Sequence, residues 1–128
     1  MFKEINEALN LLTEKIIGSA IEVHKQLGPG LLESVYEEAL CCELRERGVN
    51  FEKQVVVPII YKENEIGKCR LDLLVEGEVI IELKAVDRIE PLFEAQVLTY
   101  LKITGKRLGL LINFNSTVLK NGIKRIIL

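Results

Sequence analysis

The stretch Val79-Ile80-Ile81-Glu82-Leu83-Lys84 sets a carboxylate and an ammonium inside an otherwise apolar run. A strand apolar on both faces is normally central and covered. A charge buried there is costly unless it is paired or holds an ion. Side chains alternate along a strand, so Glu82 and Lys84 share one face. A second carboxylate, Asp72, lies in the preceding run Arg-Leu-Asp-Leu-Leu-Val, and Glu76-Gly77-Glu78 reads as a tight turn joining the two runs into an antiparallel hairpin. With a three-residue turn, Val75 pairs with Val79 and Asp72 falls opposite Glu82. Directly opposed side chains have Cβ atoms ~5 Å apart. Two carboxylates that close repel each other unless a cation lies between them, and oxygen ligands of this kind suit a hard ion such as Mg2+, with Mn2+ as a substitute. The competing reading is a structural ion pair, Lys84 with Glu82 or Asp72.

Further polar residues are candidates beside that hairpin pair. Arg70, two residues before Asp72, is expected on the same strand face, where it would neutralise carboxylates or meet a nucleic acid. Gln96 and Tyr100 are one helical turn apart and share a face; ordinary core packing is the plain reading for Tyr100. His24 is the one histidine. It stands near a helix end, where a histidine is ordinarily structural, yet its place before Gly28-Pro29-Gly30 could bring it near the site. Those glycines are turn residues, because no Gly-Lys-Ser/Thr follows them to make a phosphate loop.

The elements that must position these residues follow from periodicity. Ile5, Leu9, Leu12, Ile16, Ala20, Val23 and Leu27 recur at threes and fours, a helical stripe over 5–27 that Gly28-Pro29-Gly30 stops. A second helix is expected from about Leu31 to Arg47, with Gly48 as its stop. Gln54 to Tyr61 is rich in Val and Ile and reads as a strand, and Pro58 within it points to an edge position or a bulge. Lys62-Glu63-Asn64-Glu65 is a polar turn, Lys68 to Val75 a second strand and Val79 to Lys84 a third. A loop through Asp87 and Pro91 leads to a helix at about 92–104 ending at Gly105. Leu108 to Asn113 is a fourth, buried strand, and Ile123 to Leu128 is a short strand or a loop. The order α-α-β-β-β-α-β describes a mixed α/β domain spanning 1–128, without repeats or linkers.

Length and composition are consistent with this. The 128 residues are one domain's worth. With 48% hydrophobic residues and no Trp, an aliphatic core can form without disulfides. No signal-peptide pattern and no run near the ~20 apolar residues of a membrane span is visible, so a cytoplasmic protein without a membrane is expected. Cys41, Cys42 and Cys69 are odd in number and lack metal-clamp spacing; they read as buried thiols of a reducing compartment. The net charge of −2 gives no general attraction to nucleic acid. It averages an asymmetric chain, however: all 19 acids lie in the first 94 residues, and Lys102, Lys106, Arg107, Lys120, Lys124 and Arg125 follow. That basic region could meet a phosphate backbone or be a plain solvated surface.

Asp72 followed by Glu82-Leu83-Lys84 on a hairpin, with helices before and after, resembles the PD-(D/E)xK nuclease superfamily, although Asp72 follows Leu71 where the superfamily name has Pro. Gln96 and Tyr100 resemble the Q-x-x-x-Y element of an exonuclease branch of that superfamily, which implies that they contact phosphate or fix Lys84. Gly30-Leu31-Leu32-Glu33-Ser34-Val35-Tyr36 matches the signature of the small GxxExxY family. The likeness runs from about Leu11 to the end, through Ile21-Glu22-Val23-His24, Gly28-Pro29-Gly30 and Leu111-Ile112-Asn113-Phe114-Asn115. The resemblance implies a restriction-endonuclease-like core, a mixed β-sheet flanked by helices, and Mg2+-dependent hydrolysis of phosphodiester bonds, in DNA before RNA. It implies Asp72, Glu82 and the Leu83 backbone carbonyl as metal ligands. Glu33 is implied to complete the metal shell, where dipole stabilisation at a helix start is the plainer reading. Lys84 would orient the attacking water or offset charge in the transition state. Tyr36, one turn after Glu33, is a packing or supporting residue. Nucleic acid would be met by the chain's own surface, by a homodimer or with a partner. Two other readings compete: a nucleic-acid-binding or regulatory module without useful turnover, and a structural protein whose charges form salt bridges. Exo- and endonucleolytic cleavage are equally compatible with these residues.

Overall fold

The computed structural model describes residues 6–128, so Ile5 lies outside the described residues. Asn6 caps the first helix, α1 (Glu7–Leu27), by accepting the Leu9 amide on its side chain at 2.8 Å. Gly28, with φ of 70°, ends α1 and returns its amide to the His24 carbonyl. Helix α2 spans Glu33–Glu46, two residues shorter at its start than its apolar pattern suggests, because Gly30 at φ 100° and Leu31 still belong to the turn. Strand β1 (Phe51–Tyr61) and β2 (Asn64–Val75) form a long antiparallel ribbon. Both begin before the apolar runs that announced them, since polar residues at an exposed sheet end pair through their backbones as readily as valines. Strand β3 is Val79–Lys84, α3 Pro91–Thr104, β4 Leu108–Asn113 and β5 Ile123–Ile127, with a short 3-10 turn at Leu119–Gly122.

The five strands form one sheet in the order β1-β2-β3-β4-β5. Only β3 and β4 run parallel, joined by a crossover through α3. The fold is thus α/β, a mixed sheet flanked by helices. Pro58 lies on the edge strand beside a register irregularity at Ile59/Ile60, as a residue without an amide proton requires. Helices α1 and α2 pack over one face, where Ile16, Ala20, Val23, Leu40 and Leu44 meet Leu73, Val75, Val79, Ile81, Leu83, Leu110 and Ile112. Across the other face lies α3, with Leu101 buried against Leu71 and Ile80, and Leu98, Tyr100 and Ile126 beside them. β3 is central and covered on both faces, so Ile81 and Leu83 face α1 and α2 while Ile80, Glu82 and Lys84 face the α3 side. Of the three cysteines, all free, Cys41 is buried, Cys69 half-buried and Cys42 exposed; Cys42 departs from the expected burial because it immediately follows Cys41 on α2 and so points off the packed face. No helix among the described residues is long and apolar enough to cross a membrane.

Candidate active site

The β2–β3 ladder is regular from Val75↔Val79 to Leu73↔Ile81 and ends there. The next pair would be Asp72 and Glu82, as the three-residue turn requires. In place of backbone pairing, each strand's amide meets a carboxylate from the other: the Asp72 N–H donates to Glu82 Oε1 at 3.1 Å, and the Leu83 N–H donates to Asp72 Oδ2 at 2.8 Å. The two acids therefore face each other where the hairpin opens, held by backbone donors. The N–H and C=O of one residue leave a strand on the same side, so the Leu83 carbonyl is directed to this same opening.

Glu82 is buried, at 6% exposure. Its carboxyl is pushed up to about 8, first by burial and then by the Asp72 charge, with Glu33 adding to the rise; the Asp72 amide and the Lys84 ammonium pull the other way. No salt bridge within 4 Å joins Lys84 to either acid among the described residues. Lys84 instead lies over the ring of Phe93 on α3, 4.5 Å from its centroid, a cation–π contact that holds the ammonium without neutralising Glu82. This geometry is not that of a close structural ion pair. The loop after Lys84 is fixed by buried Asn113, which accepts the Val86 amide at 3.0 Å and donates to the Val86 carbonyl at 2.9 Å.

The turn before α2 has a mechanical basis. Tyr36 is fully buried and stacks on Phe114 with centroids 4.6 Å apart and planes 6° apart. Its hydroxyl donates to the Gly28 carbonyl and accepts the Leu31 amide at 3.1 Å. Gly30 supplies the left-handed backbone of that turn. Together they fix where α2 begins, and so where Glu33, its first residue, stands. The Glu33 carboxyl is pushed up by partial burial and then by Asp72, while Lys84 lowers it, so it belongs to the same electrostatic neighbourhood. Among the described residues, though, no three His, Cys, Asp or Glu side chains are gathered into a ready-made metal cage. The hard oxygen donors converging on the opening are two carboxylates and a carbonyl. That set suits an ion which keeps several waters and takes one or two carboxylates, as magnesium does; a cation there would also relieve the repulsion felt by Glu82.

Tyr100 on α3 faces this site: its hydroxyl is raised by burial, then by Glu82, Cys69 and Asp72, and a hydrogen bond from Gln96 lowers it. Tyr100 thus stands on the carboxylate side of the sheet, with exposed Gln96 bonded to its hydroxyl. His24 is placed elsewhere, with Nε2 2.7 Å from the Ser116 carbonyl, tying α1 to the loop after β4. Arg70 is exposed and pairs with Val56 across the ribbon. The alternation that would have set it on the face of Asp72 does not carry past Asp72, which is left unpaired with Gln54 between Lys53↔Leu73 and Val55↔Leu71. In the basic C-terminal region, Arg107 donates to the Leu128 carbonyl and Arg125 to Asn10, while Lys102, Lys120 and Lys124 are exposed. Sequence reasoning missed Phe93, Asn113, Glu37 and Gln54; only Asn113, a polar residue closing an apolar strand, carried a visible signal.

A family model described as the PD-(D/E)XK nuclease superfamily matches residues 10–126. This chain belongs to that superfamily. Comparison with curated proteins gives no match. The acid on β2 and the Glu-x-Lys on β3 are of the residue types in the superfamily's name, and the match spans both strands. Nucleases of this superfamily generally use divalent metals.

Proposed function

We propose that this chain, as one domain of the GxxExxY family, is a cytoplasmic Mg2+-dependent nuclease that hydrolyses phosphodiester bonds in DNA. The observation that carries the reading is the pair Asp72 and Glu82, opposed where the ladder opens, with Glu82 buried and short of a neutralising partner. Asp72, Glu82 and the Leu83 carbonyl would hold the ion, with Glu33 reaching it from the start of α2. When bound, the ion polarises the phosphate and lowers the pKa of water. Lys84, held over Phe93, would stand beside the reacting phosphate and stabilise the charge that develops there. Tyr100 and Gln96 hold the phosphate or limit the freedom of Lys84 from the α3 side.

The test is cleavage of labelled single-stranded, duplex and branched DNA with magnesium or manganese, with EDTA as control. Asp72→Ala and Glu82→Ala are each expected to abolish both metal uptake in calorimetry and cleavage. Metal uptake unchanged in both variants would refute the site. A second reading is a nucleic-acid-binding or regulatory module on a nuclease fold. A parent protein that takes up metal and binds DNA but cuts none of the substrates would establish it.

A further inference from the structure

Asp72 does not stand in a regular strand. Along the ribbon Lys53 pairs with Leu73 and Val55 with Leu71, while Gln54 and Asp72, opposite each other between them, are unpaired although the register does not shift. Alternate residues of a regular strand stay on one face. Here they do not. Phe51 packs with the α1/α2 side and Lys53 reaches Glu38 on α2, yet Val55 and Val57 pack with the α3 side. On β2, Leu73 and Val75 face α1 and α2, whereas Leu71 is buried with Leu101 of α3. The pleat of both strands therefore reverses at one level, Gln54 and Asp72.

The cause lies at Gln54, whose φ is +53°. The other left-handed non-glycine residues described, Lys62, Glu63 and Glu76, are all at hairpin turns. A left-handed L-residue costs free energy relative to the extended form, and such outliers persist only where the surroundings hold them. What holds this one is its side chain: Gln54 Nε2 donates to Glu37 Oε1 at 2.7 Å, one turn along α2 from Glu33. The Asp72 charge is also felt at Glu37, so the three groups are close.

We propose that Gln54 is the positioning residue for Asp72: clamped to Glu37, its left-handed backbone reverses the pleat and turns the Asp72 carboxylate from the sheet face into the opening, onto the Leu83 amide. This rests on the reading of Asp72 as a metal-holding carboxylate only for its functional consequence; the geometry stands apart from it. In a regular pleat Asp72 would project beside Leu74 toward α3 and could not accept the Leu83 amide from the edge. The device also links α2, which carries Glu33, through β1 to the strand that carries Asp72.

The test pairs Gln54→Gly with Gln54→Ala, which both lack the carboxamide but differ in left-handed freedom. It adds Glu37→Ala, which removes the clamp, and Gln54→Val, which disfavours the left-handed form further. The first readout is amide hydrogen exchange of Leu83 in metal-free protein, referred to β4 amides so that a change in global stability cancels. Gln54→Gly is expected to keep Leu83 protected like the parent, while Gln54→Ala, Glu37→Ala and Gln54→Val each lose about tenfold or more in protection. The second readout is manganese affinity, expected to follow the same order. Equal Leu83 protection in the Gly and Ala variants, or parent-like protection in Glu37→Ala, overturns the proposal; should Gln54→Val fail to fold, the Gly and Ala pair decides. A parent that takes up no manganese refutes the metal reading instead, and Leu83 exchange still judges Gln54.

Discussion

The β2–β3 hairpin has two halves built by different rules. From the turn to Leu73↔Ile81 it is ordinary sheet: backbone pairs with backbone, and Leu73, Val75, Val79 and Ile81 are all fully buried. From Asp72 and Glu82 onward, side-chain carboxylates replace backbone partners and the strands part. The closed half spends its residues on burial. The open half keeps two acids in proximity and leaves one of them, Glu82, in an environment that resists its charge. The contrast teaches that the site is not added to a finished sheet; it is the place where the sheet stops being regular, and the closed half is what makes the opening rigid.

Substitution in the closed half should therefore cost stability and spare the chemistry. Ile81→Ala removes a fully buried side chain from the α1/α2 core, and a change of this kind costs ~2–5 kcal/mol. Urea denaturation should report that loss, while the folded fraction takes up manganese with parent affinity. A large fall in affinity would mean that the two halves are not separable. In the open half, Lys84→Ala should do the reverse, losing ~10²–10³ in cleavage rate while manganese uptake and melting temperature change little. Lys84→Arg should recover only part of the rate, because a planar guanidinium does not replace a compact ammonium over Phe93.

The open half should also carry the pH dependence. The folded protein raises the Glu82 carboxyl from 4.5 to about 8. Folding therefore favours the protonated form, and the folded chain holds more protons than the unfolded chain between those values. Stability of the metal-free protein should be highest below about pH 4.5 as far as this group is concerned and fall as pH rises toward 8; Glu33 and Glu37, also raised, act with the same sign. Glu82→Gln should flatten the fall, measured as melting temperature across that range in EDTA. Manganese should reverse it, since an ion that binds only the folded form stabilises by mass action. Asp72→Asn, which removes the like charge, should melt no lower than the metal-free parent at pH 8.

How much of this was legible in the sequence depends on whether a residue contrasts with its neighbours. Glu82 and Lys84 stand out because the run around them is apolar, and the three-residue turn then assigns Asp72 its partner; β3 and β4 have the bounds their apolar runs announce. Gln54 does not stand out, because a polar residue on an exposed edge strand is ordinary and nothing local marks a left-handed backbone. Simple alternation therefore places Arg70 on the face of Asp72, whereas the pleat reverses between Leu73 and Leu71. Phe93 was invisible for another reason: its contact with Lys84 depends on how the loop at 85–90 folds, and that loop is pinned by Asn113 from β4.

The smallest expected effect tests how far the open half depends on the helix that overlooks it. Tyr36→Phe keeps the ring stacked on Phe114 and removes only the hydroxyl that links Gly28 to Leu31. Loss of such bonds in a partly buried turn costs about 1 kcal/mol, far less than Ile81→Ala. The consequence for the site is larger than that figure suggests if Glu33 matters, because the turn fixes the first residue of α2 and the hydroxyl is its clamp. Tyr36→Phe should thus lower the cleavage rate severalfold at a temperature where the protein remains folded, and combining it with Glu33→Gln should add little further loss, since both act on the same carboxylate. Fully additive losses in that double variant would detach Tyr36 from Glu33 and leave the tyrosine as packing for the closed half alone.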